Sequence, residues 1–194
     1  MPIKNHVTKE TILRAAVDIT RESGVQSLNA RRLAKALSCS TQPIFSNYAT
    51  MEELKENVAR ASYEIYCAYL EKTVSSGKYP PYKASGMGYI LFAKEEKELF
   101  KSLFMRKREF ASILPQNREI EETFTLVQKN TGLSREDARR FHFEMWIFVH
   151  GIATMLATDF MEMDDDKIDR MLSDMYLGLR YRFGVIDKTK ENLP

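Results

Sequence analysis

Glycine and proline are scarce, at 8 and 6 of 194 residues, while 29% of the residues are charged. A sandwich or barrel needs turn chemistry every ~8–12 residues, so this scarcity excludes a turn-rich β fold. Cysteine is scarcer still. Cys39 and Cys67 show no CxxC or metal-finger spacing, which excludes a disulfide scaffold and a zinc ribbon; they read as reduced thiols. His6, His142 and His150 share no metal-ligand spacing with each other or with cysteine, so no metal is expected. No apolar run approaches the ~20 residues needed to cross a bilayer. The N-terminus, "MPIKNHVTKE", is polar and no apolar h-region follows, so neither a membrane role nor a signal peptide is expected and the reading is cytoplasmic. There is no GxSxG, no HExxH and no Gly-rich phosphate loop. Carboxylates sit among lysines, as in "AKEEKELFK", the pattern of a solvated helix face. Neither catalysis nor a cofactor is expected.

What the sequence does have is helix signals. Thr8 can cap a helix carrying Ile12, Ala15, Ala16 and Ile19 at helical spacing, with Gly24 just past its end. Asn29 can cap a second helix to Leu37, and Ser40 or Thr41 a third to about Tyr48. A long helix is predicted over 51–75, followed by the loop "SSGKYPPY". Further helices are predicted over 82–94, 96–105, 115–132, 134–160 and 164–184, with a polar tail beyond. The fold class is all-α. Charge is uneven along it: residues 1–50 hold seven basic and three acidic side chains, leaving 22 basic and 24 acidic for the rest. A basic N-terminal quarter suits a polyanionic partner.

The stretch "STQPIFSNYA", Ser40 to Ala49, follows a short helix and a tight break. A short helix, a turn and a second short helix form the helix-turn-helix pattern, whose second helix reads base edges in the DNA major groove. Small polar side chains suit that work, and Thr41, Gln42, Ser46 and Asn47 supply them. Ile44 and part of Tyr48 can pin the helix to its scaffold. Arg31 and Arg32 can bind phosphates.

From Thr8 to about Leu54 the chain resembles the DNA-binding domain of the tetracycline-repressor (TetR) family of bacterial regulators. The family pattern runs helix, Gly, a Ser/Thr cap, "xxIA", then "GVSxxxLYxYFxxKxxL". The matching residues are Gly24-Val25, the cap Asn29, Leu33-Ala34, Ser40, Ile44, Phe45, Tyr48 and Leu54. Four positions depart from it. Ser38 stands where a turn glycine is usual. Phe45 replaces a tyrosine that often bonds phosphate, and Asn47 replaces a second Tyr or His. Met51 replaces a lysine, for which Lys55 is the substitute one turn later. The resemblance implies a helix-turn-helix domain over 1–50 and a helical effector-binding and dimerisation domain over 51–194. It implies DNA contacts at Asn29, Arg31, Arg32, Ser40, Thr41, Gln42, Phe45, Ser46, Asn47, Tyr48 and Lys55. Trp146, His150 and Gly151 resemble a Trp–x–x–x–His–Gly signature of one branch of family C-terminal domains.

In the second domain, Phe141, Met145, Phe148, Ile152 and Met155 form one stripe of a helix that is apolar on two sides. With Ile168, Leu172, Met175 and Leu179 of the last helix, they are the expected interface of a two-fold homodimer. Such a dimer would hold two reading helices ~34–36 Å apart on a near-palindromic duplex. Tyr63, Tyr66, Tyr89, Phe92, Phe104, Phe124, Trp146 and His150 are the expected lining for a small apolar or aromatic effector. The function expected is a ligand-responsive homodimeric repressor. Two alternatives stay open: a DNA-binding regulator controlled by a protein partner, and a small-molecule-binding helical protein that has lost DNA reading.

Overall fold

The computed structural model describes residues 7–105 and 118–185, and all regular structure within them is helical. The elements are α1 (Lys9–Ser23), a 3-10 turn (Val25–Ser27), α2 (Ala30–Ala36), α3 (Gln42–Asn47), α4 (Met51–Ser75), α5 (Pro81–Glu95), α6 (Lys97–Phe104), α7 (Arg118–Thr131), α8 (Arg135–Ala157) and α9 (Asp165–Arg182). The all-α reading holds. The expected helix start near Pro115, the polar tail beyond 185 and His6 lie outside the described residues.

Packing divides these residues into two compact units, 7–69 with 92–105, and 70–91 with 118–185. The first unit therefore takes in much of α4 and all of α6, not only the N-terminal helices. Its core joins Ile12, Ala16 and Ile19 of α1 to Leu33 and Ala34 of α2, Ile44 of α3, and Leu54 and Val58 of α4. Burying each Ile, Leu or Val there contributes about 1.5–3 kcal/mol. Side chains mark where the helices begin. Thr8 Oγ1 accepts from the Thr11 N–H at 3.2 Å while Thr11 Oγ1 accepts from the Thr8 N–H at 2.9 Å, a reciprocal capping box. Asn29 Oδ1 accepts from the Arg32 N–H at 3.0 Å and opens α2. α1 is also tied to the head of α6: Arg21 Nε donates to Glu96 Oε2 at 2.7 Å, a bond that raises the arginine pKa further.

The second unit packs α7 on α8 and α8 on α9. Lys83 of α5 pairs with Asp169 of α9 and donates to Ser173 Oγ at 2.7 Å. Gly88 of α5 lies so close to α4 that a Cβ there would stand 3.1 Å from the Leu70 Cα. Only a residue without a side chain lets the two backbones approach this far. Helix α8 was expected to reach Phe160 but stops at Ala157. Asp159 turns left-handed (φ 55°), and the Phe160 N–H returns to the Met155 carbonyl at 3.0 Å. Aspartate tolerates that backbone region, so a Schellman closure ends the helix without glycine.

α2 ends the same way. Ser38 has φ 51°, its N–H donates to the Lys35 carbonyl at 3.2 Å, and the Cys39 N–H donates to the Ala34 carbonyl at 3.0 Å. Glycine's usual place in this turn is thus filled by a side chain in a left-handed conformation, which costs an L-residue ~1–2 kcal/mol. Ser38→Gly should stabilise the protein by about 0.5–1 kcal/mol, after allowing for glycine's larger unfolded-state entropy. Thermal unfolding should shift up by roughly 1–4 °C, and Ser38→Val should shift down. An unchanged midpoint for the glycine variant would show that the serine hydroxyl, not the backbone, sets the stability of this turn.

Candidate nucleic-acid interface

α3 is six residues long, too short to persist alone. It is held from one side. Ile44 is fully buried and Tyr48, at its C-terminal cap, is 1% exposed. The Tyr48 hydroxyl donates to the Lys9 carbonyl at 3.2 Å, and the Lys9 ammonium lies 4.8 Å from the centre of its ring. Burial raises the tyrosine pKa, so the hydroxyl stays protonated and donates. Tyr48 was expected among the DNA contacts; the structure makes it a support for the helix instead. A side chain so buried and so bonded has no surface to offer a duplex.

The opposite face of α3 is exposed. Gln42, Phe45 and Ser46 point outward together, and Pro43 and Asn47 flank them half-buried. Two of the expected reading side chains are already engaged with their own helix. Ser46 Oγ donates to the Gln42 carbonyl at 3.0 Å and Asn47 Nδ2 donates to the Pro43 carbonyl at 2.8 Å. Ser46 therefore presents an acceptor, while Asn47 keeps its Oδ1 and one N–H. The Gln42 amide makes no hydrogen bond and the Phe45 ring no ring contact among the described residues. Thr41 caps α3 without a side-chain hydrogen bond, and Ser40 is exposed in the turn before it.

The cations divide similarly. Arg32 donates through Nη2 to Ser23 Oγ at 2.7 Å, which ties it to the end of α1. Arg31 is exposed and makes no ion pair among the described residues. Lys35 lies one turn further along α2, equally exposed and unpaired among the described residues. The pair Arg31 and Lys35 at i, i+4 is the basic face of α2. Lys35 was not singled out from sequence, although its spacing from Arg31 carried the signal. Asn29 is committed as the α2 cap, and Lys55 makes a loose ion pair with Glu52 at 3.9 Å.

The residues expected to line an effector site do not come together: four form an aromatic group in the first unit, three a group in the second, and Phe124 stands apart from both. In the first unit, Tyr66 packs on Tyr63, Phe92 and Phe104 at ring separations of 5.6, 5.5 and 5.2 Å. In the second, Tyr89 Oη and His150 Nδ1 share a 2.8 Å hydrogen bond, and Trp146 stacks on the imidazole at 5.0 Å and 12°. Burial lowers the His150 pKa, which favours the neutral ring. Phe124 is buried elsewhere in that unit. Its ring meets the edge of His142, which burial holds at a pKa of about 4 and which shares a 3.1 Å hydrogen bond with Tyr82.

Of the nine expected interface residues, Phe141, Met145, Ile152, Ile168, Leu172 and Leu179 are buried within the single chain. They are unavailable to a partner in this conformation. Periodicity could not separate the two apolar sides of α8, and three of the five residues in the stripe chosen from sequence, Phe141, Met145 and Ile152, face inward. Phe148 and Met175 are half-buried and Met155 is exposed. The outward apolar side chains are Ile147, Met155, Leu177 and Tyr181, at 51%, 39%, 49% and 72% exposure. Gly151 lies between the first two, and Gly178 beside Leu177, both with open space where a Cβ would point.

No protein-family model matches the chain, and no curated protein matches it. Solved structures do. One, from Vibrio parahaemolyticus, is described as a transcriptional regulator of the TetR family. It matches with a TM-score of 0.61 at 16% identity, over 88% of this chain and 97% of that one. Another, a TetR-like transcriptional regulator from Rhodococcus sp. RHA1, matches with a TM-score of 0.63 at 14% identity, over 95% and 100%. The chain has the fold of TetR-like regulators. That likeness carries the architecture, and the residues carry the rest.

Proposed function

We propose that this chain is a sequence-specific, DNA-binding transcriptional regulator. It acts in the cytoplasm as a homodimer on a near-palindromic duplex and is released by a small apolar or aromatic effector, which makes it a repressor. The observation that carries this reading is the outward face of α3. Gln42, Phe45 and Ser46 are presented to solvent by a helix whose inner side is locked into a core, beside the unpaired cations Arg31 and Lys35. Exposed cations fix a protein on phosphates and base-edge contacts select the sequence. The TetR-like fold supports the same reading.

The outward faces of α8 and α9 support dimerisation. Each helix carries two large exposed apolar side chains and an open glycine, which suits close approach by a second copy. Release is a population shift: an effector that binds one arrangement of α4 better depletes the other, lowering DNA affinity by a coupling free energy of ~1–3 kcal/mol. The Tyr89, His150 and Trp146 group supports an aromatic effector, because it sets aromatic rings beside a hydrogen-bonding pair.

Three measurements test these parts. Purified protein mixed with a random duplex library should retain a near-palindromic motif. On that motif Gln42→Ala should cost about 1–3 kcal/mol, with nonspecific binding unchanged. Arg31→Ala should weaken binding to all sequences and reduce the salt slope by about 1; a loss confined to the motif would refute its phosphate role. Leu177→Glu should give monomers by sedimentation, since it places a charge on an exposed apolar face without touching the core. A persistent dimer would move the interface off α9. Trp146 is the chain's one tryptophan, so an aromatic effector bound beside it should quench its fluorescence. A broad screen of apolar and aromatic compounds that leaves the emission unmoved would count against this site.

A further inference from the structure

The side chains of α3 restrict which bases it can read. Guanine is recognised in the major groove by Arg or Lys reaching O6 and N7, and cytosine by Asp or Glu accepting from N4. Helix α3, "QPIFSN", contains none of these four residue types. Its outward side chains are an amide, a phenyl ring and a hydroxyl. The hydroxyl proton of Ser46 is taken by the Gln42 carbonyl at 3.0 Å. Among the outward side chains of α3, the Gln42 amide is uncommitted and can pair bidentately with adenine N6 and N7, and the Phe45 ring is an apolar surface. The thymine 5-methyl is the apolar group on the major-groove edge of the four ordinary bases.

Phe45 is an unusual residue to leave in water at this place. It is 47% exposed, makes no ring contact among the described residues, and sits one helical turn from Gln42 on the same face. It does not hold α3 in place; Ile44 and Tyr48 do, at 0% and 1% exposure. A phenyl ring has no donor for a phosphate, so its contribution to binding is the burial of apolar surface.

We propose that Phe45 is a specificity-determining residue that packs on the methyl group of a thymine, with Gln42 on a neighbouring adenine, so that α3 selects an A·T-rich step in each half-site. This rests on the reading of α3 as the DNA-contacting helix, and the test separates the two. The motif retained from the random library by the wild-type protein is synthesised with 2′-deoxyuridine replacing each thymine in turn. Uracil keeps the hydrogen-bonding edge and loses only the methyl. One thymine per half-site should lower wild-type affinity by about fourfold when replaced, the worth of one buried methyl-sized group. Phe45→Ala should bind the thymine and uracil sites equally, and Phe45→Leu should keep part of the preference. The double-mutant comparison isolates the ring–methyl contact from any general weakening. A motif without thymine in the half-site overturns the proposal but leaves DNA reading intact. So does a uracil penalty that survives in Phe45→Ala. A library with no enriched motif overturns the reading of α3 on which the proposal stands, and the proposal with it. Circular dichroism of Phe45→Ala should match wild type, because the ring lies outside the buried core.

Discussion

The first unit depends on the anchoring of one short helix. α3 makes too few internal hydrogen bonds to hold itself, so its conformation is imposed by Ile44 and Tyr48 from within the α1, α2 and α4 core. The Tyr48 hydroxyl reaches the Lys9 carbonyl, at the very start of α1, and Lys9 itself pairs with Glu53 of α4 at 3.7 Å. The aromatic side chain thus ties the end of α3 to the beginning of α1, and Lys9 carries the link on to the beginning of α4. If that anchor loosened, the outward positions would lose any fixed register, whatever their chemistry.

Much of this was legible in the sequence because it rests on local chemistry. Thr8, Asn29, Ser134 and Asp164 act as helix caps, and capping is decided by a residue and its neighbours three positions on. Ser38 announced a backbone problem simply by not being glycine. The side of α8 that faces inward was not legible. Phe141 and Ile147 are both large and apolar, and only the position of α7 and α9 decides that one is buried and the other exposed. The state of Ser46 and Asn47 was hidden for a related reason. A polar side chain in a short helix can bond its own backbone or a partner, and composition does not say which.

The second unit repeats one device along the α5 and α8 seam. Tyr82 meets His142 and Tyr89 meets His150, each through Nδ1. Burial lowers both histidine pKa values, so each ring is a neutral hydrogen-bonding partner rather than a charge. A helix pair held by such contacts keeps polar groups inside an apolar seam without a buried ion. Lys83 with Asp169 does the ionic work nearer the surface.

The two faces of α3 also separate two kinds of evolutionary change. Positions 44 and 48 carry the stability of the unit, and substitutions there are felt throughout the core. Positions 42, 45 and 46 touch little of the protein, so they can be exchanged at nearly constant stability. Substitutions on that face can therefore accumulate without passing through an unfolded intermediate genotype. The left-handed Ser38 marks the limit of that freedom: the turn before the helix accepts few residue types, whatever the outward face carries.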